Sequence, residues 1–102
     1  MNTQNTRRFD LEERTYQFAK QVRQFVKLFG KQNDDMKQLS NASGSVAANY
    51  IEANESLSRK DYFYRVKICR KEAKETLLWL KLIDTTGESS VVRNKLFRKQ
   101  RN

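Results

Sequence analysis

Apolar residues recur at helical spacing along most of the chain, and this pattern predicts four helical segments. In the first segment, Asp10 followed by Glu13 indicates a capping box at the start. Gly30 suits the position just after the end. The preceding residues, 1–8, are predicted to form a flexible N-terminal arm. At about 100° per residue, the apolar side chains fall in one band about 120° wide; they are Leu11, Phe18, Ala19, Val22, Phe25, Val26 and Phe29.

A second helix is predicted from Asn33 or Asp34 to about Asn54, although its middle is rich in small residues. Gly44 costs about 1 kcal/mol relative to alanine inside a helix, so propensity alone would favour a loop. The alternative is that small side chains let a neighbouring helix approach closely, and we favour this interpretation. The predicted inward stripe is Met36, Leu39, Ser43, Val46, Ala47 and Tyr50.

Ser58, with Asp61 three residues later, predicts the start of a third helix that runs to about Ile83. A turn at 84–87 and a short fourth helix at about 89–100 complete the chain. Because helices of about three turns are marginal alone, the fourth segment needs tertiary support. The predicted core face of the third helix is Phe63, Val66, Cys69, Arg70, Ala73, Leu77 and Leu80.

Composition supports one all-α domain over residues 9–102. The chain of 102 residues has three glycines and no proline, whereas sandwiches and barrels use both residue types at their turns. Its single cysteine is compatible with a reducing compartment. No apolar run approaches the roughly 20 residues of a membrane span, and the polar N-terminus lacks the apolar stretch of a signal peptide. We therefore expect a soluble, cytoplasmic protein that does not enter a membrane.

The sequence offers little for catalysis. It contains no histidine, which removes the commonest general base and metal ligand. Cys69 lies on a predicted core face, as a packed thiol would. Glu72 and Glu75 alternate with Lys71 and Lys74, and ion pairs explain them better than acid–base chemistry does. We expect no enzymatic activity, no catalytic residue, no metal site and no cofactor.

Positive charge is the strongest compositional signal. Twenty-one Lys and Arg against twelve Asp and Glu give a net charge of +9, which attracts polyanions such as nucleic acid. Because the aromatic residues lie mostly in the predicted apolar bands, we expect recognition of backbone and shape, not base stacking. Two ridges and a tail are predicted to contact phosphates: Lys20, Arg23, Lys27 and Lys31; Lys60, Lys67, Lys71 and Lys74; and Arg93, Lys95, Arg98, Lys99 and Arg101.

The third helix also carries a second apolar band, roughly opposite its core face. A helix that is apolar on two faces is either buried centrally or packed against another subunit. A short chain cannot easily surround a central helix, so we predict a homo-oligomer. The alternative is coverage by the fourth helix, which its short length disfavours. The predicted interface residues are Tyr64, Ile68, Leu78, Trp79 and Leu82.

Three segments together resemble a known family: FDLEERT at 9–15, SGSVAANYIEA at 43–53 and KEAKETLLWL at 71–80. They are similar to the four-helix-bundle proteins encoded in 23S rRNA intervening sequences, a family that includes accessory proteins of diversity-generating retroelements. The resemblance implies an antiparallel up-down bundle and a ring-shaped homopentamer. It also implies a structural role for Asn49 and Glu52. For the retroelement members, the resemblance implies a basic surface that binds RNA and a partner reverse transcriptase.

One departure from the family concerns residues 84–102. Family members carry a longer, more apolar fourth helix, so this chain's last helix is either truncated or completed by a neighbouring subunit. The leading hypothesis is a non-enzymatic, basic, oligomeric scaffold that binds structured RNA, alongside a reverse-transcribing or RNA-processing enzyme. The alternative is a protein–protein adaptor that docks on an acidic partner without nucleic acid. A third possibility is a product of a genetic element that has no biochemical task of its own.

Overall fold

Four helices and no strand make up the described part of the chain, which confirms the all-α prediction. The structure is a computed structural model that describes residues 3–29, 34–83 and 88–101, with side chains at 10–28, 34–83 and 90–99. The helices are α1 (Thr3–Phe29), α2 (Asp34–Asn54), α3 (Arg59–Leu82) and α4 (Glu88–Arg101).

The ends of α3 match the sequence prediction. The Ser58 hydroxyl caps the N-terminus by accepting a hydrogen bond from the Asp61 backbone N–H at 3.1 Å. At the other end, the Ile83 N–H donates to the Trp79 carbonyl at 3.1 Å. The predicted bounds of α2 and α4 also hold within about one residue. Gly30 and the turn at 84–87 lie outside the described residues.

The predicted start of α1 is wrong. The helix begins at Thr3, not at Asp10, so residues 3–8 are helical and do not form an arm. Residues 3–9 contain neither proline nor glycine. Extending an existing helix requires only propagation, which is far easier than nucleation. The capping-box pattern at Asp10 and Glu13 therefore lies inside the helix.

The four helices contact one another in chain order, as in an up-down bundle. Helix α1 packs on α2, α2 on α3, α3 on α4, and α4 returns to α1. Between the diagonal pairs, α1 with α3 and α2 with α4, the described residues make no close backbone contacts. The short connection at 55–58 makes α2 and α3 antiparallel neighbours.

The core is concentrated near the end of the bundle where α4 lies. Its most deeply buried large side chains are Phe25, Leu39 and Leu80, and Trp79 packs against them while remaining partly accessible. All four helices or their caps contribute to this cluster, which consists of Phe18, Val22, Phe25, Met36, Leu39, Leu80, Ile83 and Leu96.

Helix α4 is too short to cover the whole length of the bundle. Its 14 residues span about 21 Å, whereas the 27 residues of α1 span about 40 Å. Beyond the end of α4, an open groove of about 560 Å³ runs between α1 and the α2–α3 pair. Phe18, Val46 and Ala73 line this groove, and Lys99 of α4 stands at its edge.

The predicted core face of α3 is only partly correct. Cys69 and Leu80 are buried as expected, but Phe63 and Arg70 are exposed, and Thr76 is buried in their place. The buried stripe follows Cys69, Thr76 and Leu80, at steps of seven and four residues. Phe63 precedes Cys69 by six residues and therefore lies about 120° away from that stripe.

Candidate nucleic-acid interface

The outer face of α3 gathers more positive charge than the predicted ridge contained. Lys60, Lys67, Lys71 and Lys74 are all exposed. Three further exposed cations, which are not part of the predicted ridge, lie beside them. Together they form what we call the α3 cationic arc, about 120° wide: Arg59, Lys60, Lys67, Arg70, Lys71, Lys74 and Lys81.

No carboxylate of α3 lies within this arc. Asp61, Glu72 and Glu75 lie outside it by their helical phase, and Glu75 is about 40° beyond its edge at Lys71. The two ion pairs among the described residues, Arg14 with Asp10 and Arg65 with Glu52, lie outside the arc. No cation of the arc therefore forms an ion pair among the described residues.

The predicted ion pairs of Glu72 and Glu75 with Lys71 and Lys74 are not formed among the described residues. Instead, partial burial raises the pKa of Glu72 above the ordinary 4.5, and the negative charge of Glu75 raises it further. Lys71 acts in the opposite direction but does not outweigh these two effects.

The α1 ridge is exposed over Lys20, Arg23 and Lys27, whereas Lys31 lies outside the described residues. The Lys20 ammonium stands 6.0 Å from the ring centre of Tyr16. Arg23 is held against the protein, because its Nη1 donates to the Ala19 carbonyl at 3.3 Å and its Nη2 lies over Gly44 of α2. The small-residue segment of α2 thus accommodates a side chain of α1.

The basic residues of α4 are partly engaged in holding the fold. Arg93 donates from Nη1 to the Ile83 carbonyl at 3.2 Å and from Nη2 to Asn94 at 3.2 Å. Lys99 donates to the Gln21 side chain of α1 at 2.8 Å. Arg98 and Lys95 are exposed, and the side chain of Arg101 lies outside the described set. Arg93 therefore satisfies a carbonyl at the C-terminal end of α3 and is less available for phosphate contact than the exposed Arg98 and Lys95.

The α1 ridge and the α3 cationic arc do not form one continuous surface. Their helices occupy diagonal corners of the bundle. The α1 ridge borders α2 through Arg23, whereas the α3 arc borders α4, where the Lys81 ammonium lies 5.6 Å from the ring centre of Phe97. A single straight duplex would therefore contact one of these surfaces at a time.

The residues predicted as an oligomer interface divide into two groups. Tyr64, Leu78 and Leu82 are exposed on the outer side of α3. Ile68 is half-buried, and Trp79 packs partly against this molecule's own core. Trp79 thus packs within its own subunit. Tyr64, Leu78 and Leu82 share the outer side of α3 with the lysines.

Phe63, like Arg70, lies at this surface and not in the core as predicted. It was predicted to face the core, yet 53% of its surface is exposed. It lies inside the α3 cationic arc by its helical phase. Together with the half-exposed Tyr16 of the α1 ridge, it shows that aromatic side chains do interleave with cations, contrary to the expectation from apolar banding.

The comparisons with known proteins identify the family. A family model described as 23S rRNA-intervening sequence protein matches residues 7–99. The chain belongs to this family. It is also similar to the crystal structure of a protein of the S23 ribosomal protein family from Bacteroides thetaiotaomicron, described as having unknown function. That match has 26% sequence identity and a TM-score of 0.70, and it covers 88% of this chain and 91% of the other. No curated protein matches the chain significantly.

In this family member, Asn49 and Glu52 make polar contacts between α2 and α3. Arg65 of α3 donates from Nη1 to Glu52 at 2.8 Å and approaches the Asn49 side-chain oxygen at 3.4 Å. Asn49 in turn donates to the Ser45 carbonyl at 2.9 Å. Both residues thus make polar contacts within the subunit, and the structural role that the resemblance implies stays a prediction.

Cys69 is a free cysteine that lies buried in the bundle. Burial raises the pKa of the Cys69 thiol, whose Sγ lies 3.6 Å from the Val46 carbonyl oxygen. The residues that the structure describes contain no cluster of three potential metal ligands. None of the helices in that part of the chain combines the length and apolar content that crossing a bilayer requires.

Proposed function

We propose that this protein is a non-enzymatic scaffold that binds RNA through phosphate contacts of the α3 cationic arc. The observation that carries the proposal is the row of exposed cations on one face of α3, with no carboxylate of that helix among them. Such a row neutralises phosphates and releases their counterions. The family's description, which refers to an rRNA intervening sequence, supports RNA as the polymer.

The salt dependence of RNA binding tests this proposal. Affinity for an RNA hairpin is measured by fluorescence anisotropy from about 50 to about 200 mM salt. If several phosphates are contacted, affinity falls steeply over this range, with a log–log slope of about −0.9 per contact for a duplex. Affinity that does not change with salt would overturn the proposal.

Charge-reversed variants locate the contact surface. Lys71→Glu removes a cation from the α3 cationic arc, and Lys27→Glu removes one from the α1 ridge. Lys37→Glu, on the exposed side of α2, changes the net charge equally and serves as the matched control. We expect Lys71→Glu to reduce the salt slope by about one unit and Lys37→Glu to leave it nearly unchanged. Equal effects of all three would show that net charge alone governs binding.

We also propose that copies of the chain associate through the exposed apolar residues of α3. Leu78 and Leu82 support this, because they are exposed apolar residues four positions apart on the outer side of α3. Tyr64 is a third exposed apolar residue on that side, about 21 Å from Leu78 along the axis. The ring of five copies implied by the resemblance stays a prediction. Light scattering at micromolar concentration gives the mass, and a monomeric value would contradict self-association.

The same apolar residues favour the alternative function, an adaptor for an acidic protein. Purification of the native complex separates the two functions. An absorbance ratio that shows bound nucleic acid favours the scaffold, whereas a nucleic-acid-free complex with an acidic protein favours the adaptor.

A further inference from the structure

The exposure of Phe63 follows from the length of α4. Phe63 lies eighteen residues before Lys81, which is about five full turns, so both residues share one line along α3. At the Lys81 end, α4 covers this line, since Phe97 lies beneath the Lys81 ammonium. Helix α4 ends at Arg101, four residues after Phe97, and Phe63 is about 27 Å from Lys81 along the helix axis. The aromatic ring is therefore left uncovered.

Cations surround Phe63 on the helix surface. Arg59 and Lys60 precede it by four and three residues, and Lys67 follows it by four, so all three are its surface neighbours. All three are exposed. On the other side, the ring of Tyr62 meets the Phe63 ring edge-on, with centroids 5.8 Å apart and planes at 71°. Phe63 is thus an exposed aromatic ring that is supported by a second ring and bordered by positive charge.

Charge decides what can cover this ring. Tyr64 and Leu82 lie about 100° from Phe63 around α3, so a copy that packs on them does not have to cover this ring. A copy placed directly on Phe63 would bring a net charge of +9 toward the arc, and its α4 surface is itself basic. An acidic polymer is complementary, and a nucleic acid adds bases that stack on aromatic rings. Base–aromatic stacking combined with backbone contacts to a basic groove is the usual mode of single-strand binding.

We propose that Phe63 stacks on an unpaired base of the bound nucleic acid, while Arg59, Lys60 and Lys67 contact the adjoining phosphates. This inference rests on the proposed function and names the kind of nucleic acid that its site takes: single-stranded segments such as loops and ends, whose bases are accessible for stacking. A paired duplex offers only its backbone to the same cations.

The other exposed aromatic residues are less suited to stacking. The Arg65 guanidinium lies 6.0 Å from the ring centre of Tyr64, and the Lys20 ammonium lies at the same distance from that of Tyr16. Each ring already has a cation of its own chain over its face. Phe63 has its close aromatic contact at an edge-on angle, with more than half of its surface free.

The test compares a single-stranded and a double-stranded probe. Fluorescence anisotropy measures binding of a labelled oligouridine of about twelve nucleotides and of a blunt RNA duplex of equal length. The variants are Phe63→Ala, Phe63→Leu, which keeps apolar bulk, and Phe63→Trp, which keeps an aromatic face. Leu28→Ala, which truncates a highly exposed apolar residue of α1, is the matched control.

We expect Phe63→Ala to weaken oligouridine binding by about 5- to 150-fold, the range typical of losing one stacked base. Phe63→Leu weakens it similarly, Phe63→Trp retains it, and Leu28→Ala changes it less than about twofold. Duplex affinity and the salt slope stay constant in the Phe63 variants, because no charge is removed.

Three results would overturn the inference. In the first, oligouridine affinity is unchanged in Phe63→Ala, or is retained in Phe63→Leu. In the second, both probes weaken equally. In the third, light scattering gives a lower mass for Phe63→Ala than for the wild-type protein, which would show that the ring is a contact between copies. Failure of the wild-type protein to bind either RNA would instead refute the proposed function itself, and the inference with it.

Discussion

The Nη2 atom of Arg23 lies 2.8 Å from the point that a Cβ atom on Gly44 would occupy. The guanidinium of α1 thus rests directly on the bare backbone of α2. The small residues of α2 do allow a close approach, as their sequence predicted. What approaches at Gly44, however, is the end of a long side chain and not a neighbouring backbone.

Replacing Gly44 with alanine should stabilise the protein despite this close contact. Alanine is favoured over glycine inside a helix by about 1 kcal/mol, and the flexible end of Arg23 can move away at modest cost. We expect the free energy of unfolding, measured in urea, to rise by about 0.5–1 kcal/mol. The gain should be larger in an Arg23→Ala background, where no guanidinium must move.

Ala48→Gly, at an exposed site on the same helix, is the control for the Gly44 variant and should cost about 1 kcal/mol. Destabilisation by Gly44→Ala in both backgrounds would show that something other than Arg23 requires the glycine.

The ion pair between Arg65 and Glu52 should contribute little to stability despite its 2.8 Å distance. Both side chains are substantially exposed, at 40% and 55%, so water and salt screen the attraction. A double-mutant cycle of Arg65→Met and Glu52→Gln should give a coupling energy of about 0.2–1 kcal/mol that declines in about 1 M salt. A coupling of several kcal/mol would indicate that the pair is far less solvated than its exposure shows.

Two neighbouring buried positions of α3 should respond very differently to substitution. Leu80 is fully buried in the main cluster, so Leu80→Ala should lower the free energy of unfolding by about 2–5 kcal/mol. Thr76 is equally buried, but its hydroxyl donates to the Glu72 carbonyl of its own helix at 2.8 Å. Thr76→Val should change stability by less than about 1.5 kcal/mol, because it leaves no partner without a hydrogen bond. Urea denaturation measures both, and equal losses would contradict this account.

Glu72→Gln should make the pH dependence of stability flatter. The raised pKa of Glu72 means that the folded protein binds its proton more tightly than the unfolded chain does. The associated stability is present below pH 4.5 and is lost as pH rises through the folded pKa. The variant should therefore melt above the wild type at pH 7, and this difference should vanish at lower pH.

The matched control for Glu72→Gln is Glu55→Gln, which also removes one negative charge but from an exposed site. In a protein of net charge +9, this loss alone increases repulsion and should not raise the melting temperature. Identical pH profiles for the two variants would refute the role given to Glu72.

The sequence was a good guide to the helices, and the reasons lie in particular residues. Ser58 and Asp61 form the expected cap, and the apolar spacing of α2 outweighs the low propensity of Gly44. The same periodicity could not place Phe63 and Thr76 correctly. Both faces of α3 carry apolar residues, and which of them is buried depends on which helices pack against α3.

The length of α4 determines how much of α3 has a fourth helix packed against it. A fourth helix as long as the others would pass over the line of α3 that carries Phe63. The proposed binding surface was predictable as a ridge of lysines, because charged residues on an exposed helix face are visible in the sequence. Arg59, Arg70 and Lys81 could be assigned to the same surface only once the structure showed which face of α3 is buried.

The incomplete coverage by α4 also divides the molecule into regions of unequal local stability. Amide hydrogen exchange should be slowest around Val22 and Phe25, which pack in the four-helix half. Protection should decrease toward residues 10–17, where α1 packs without a fourth helix and opens at lower free energy. A bound partner that covers the groove would slow exchange there, whereas a partner on the α3 cationic arc would not, so the exchange profile of α1 distinguishes the two docking sites.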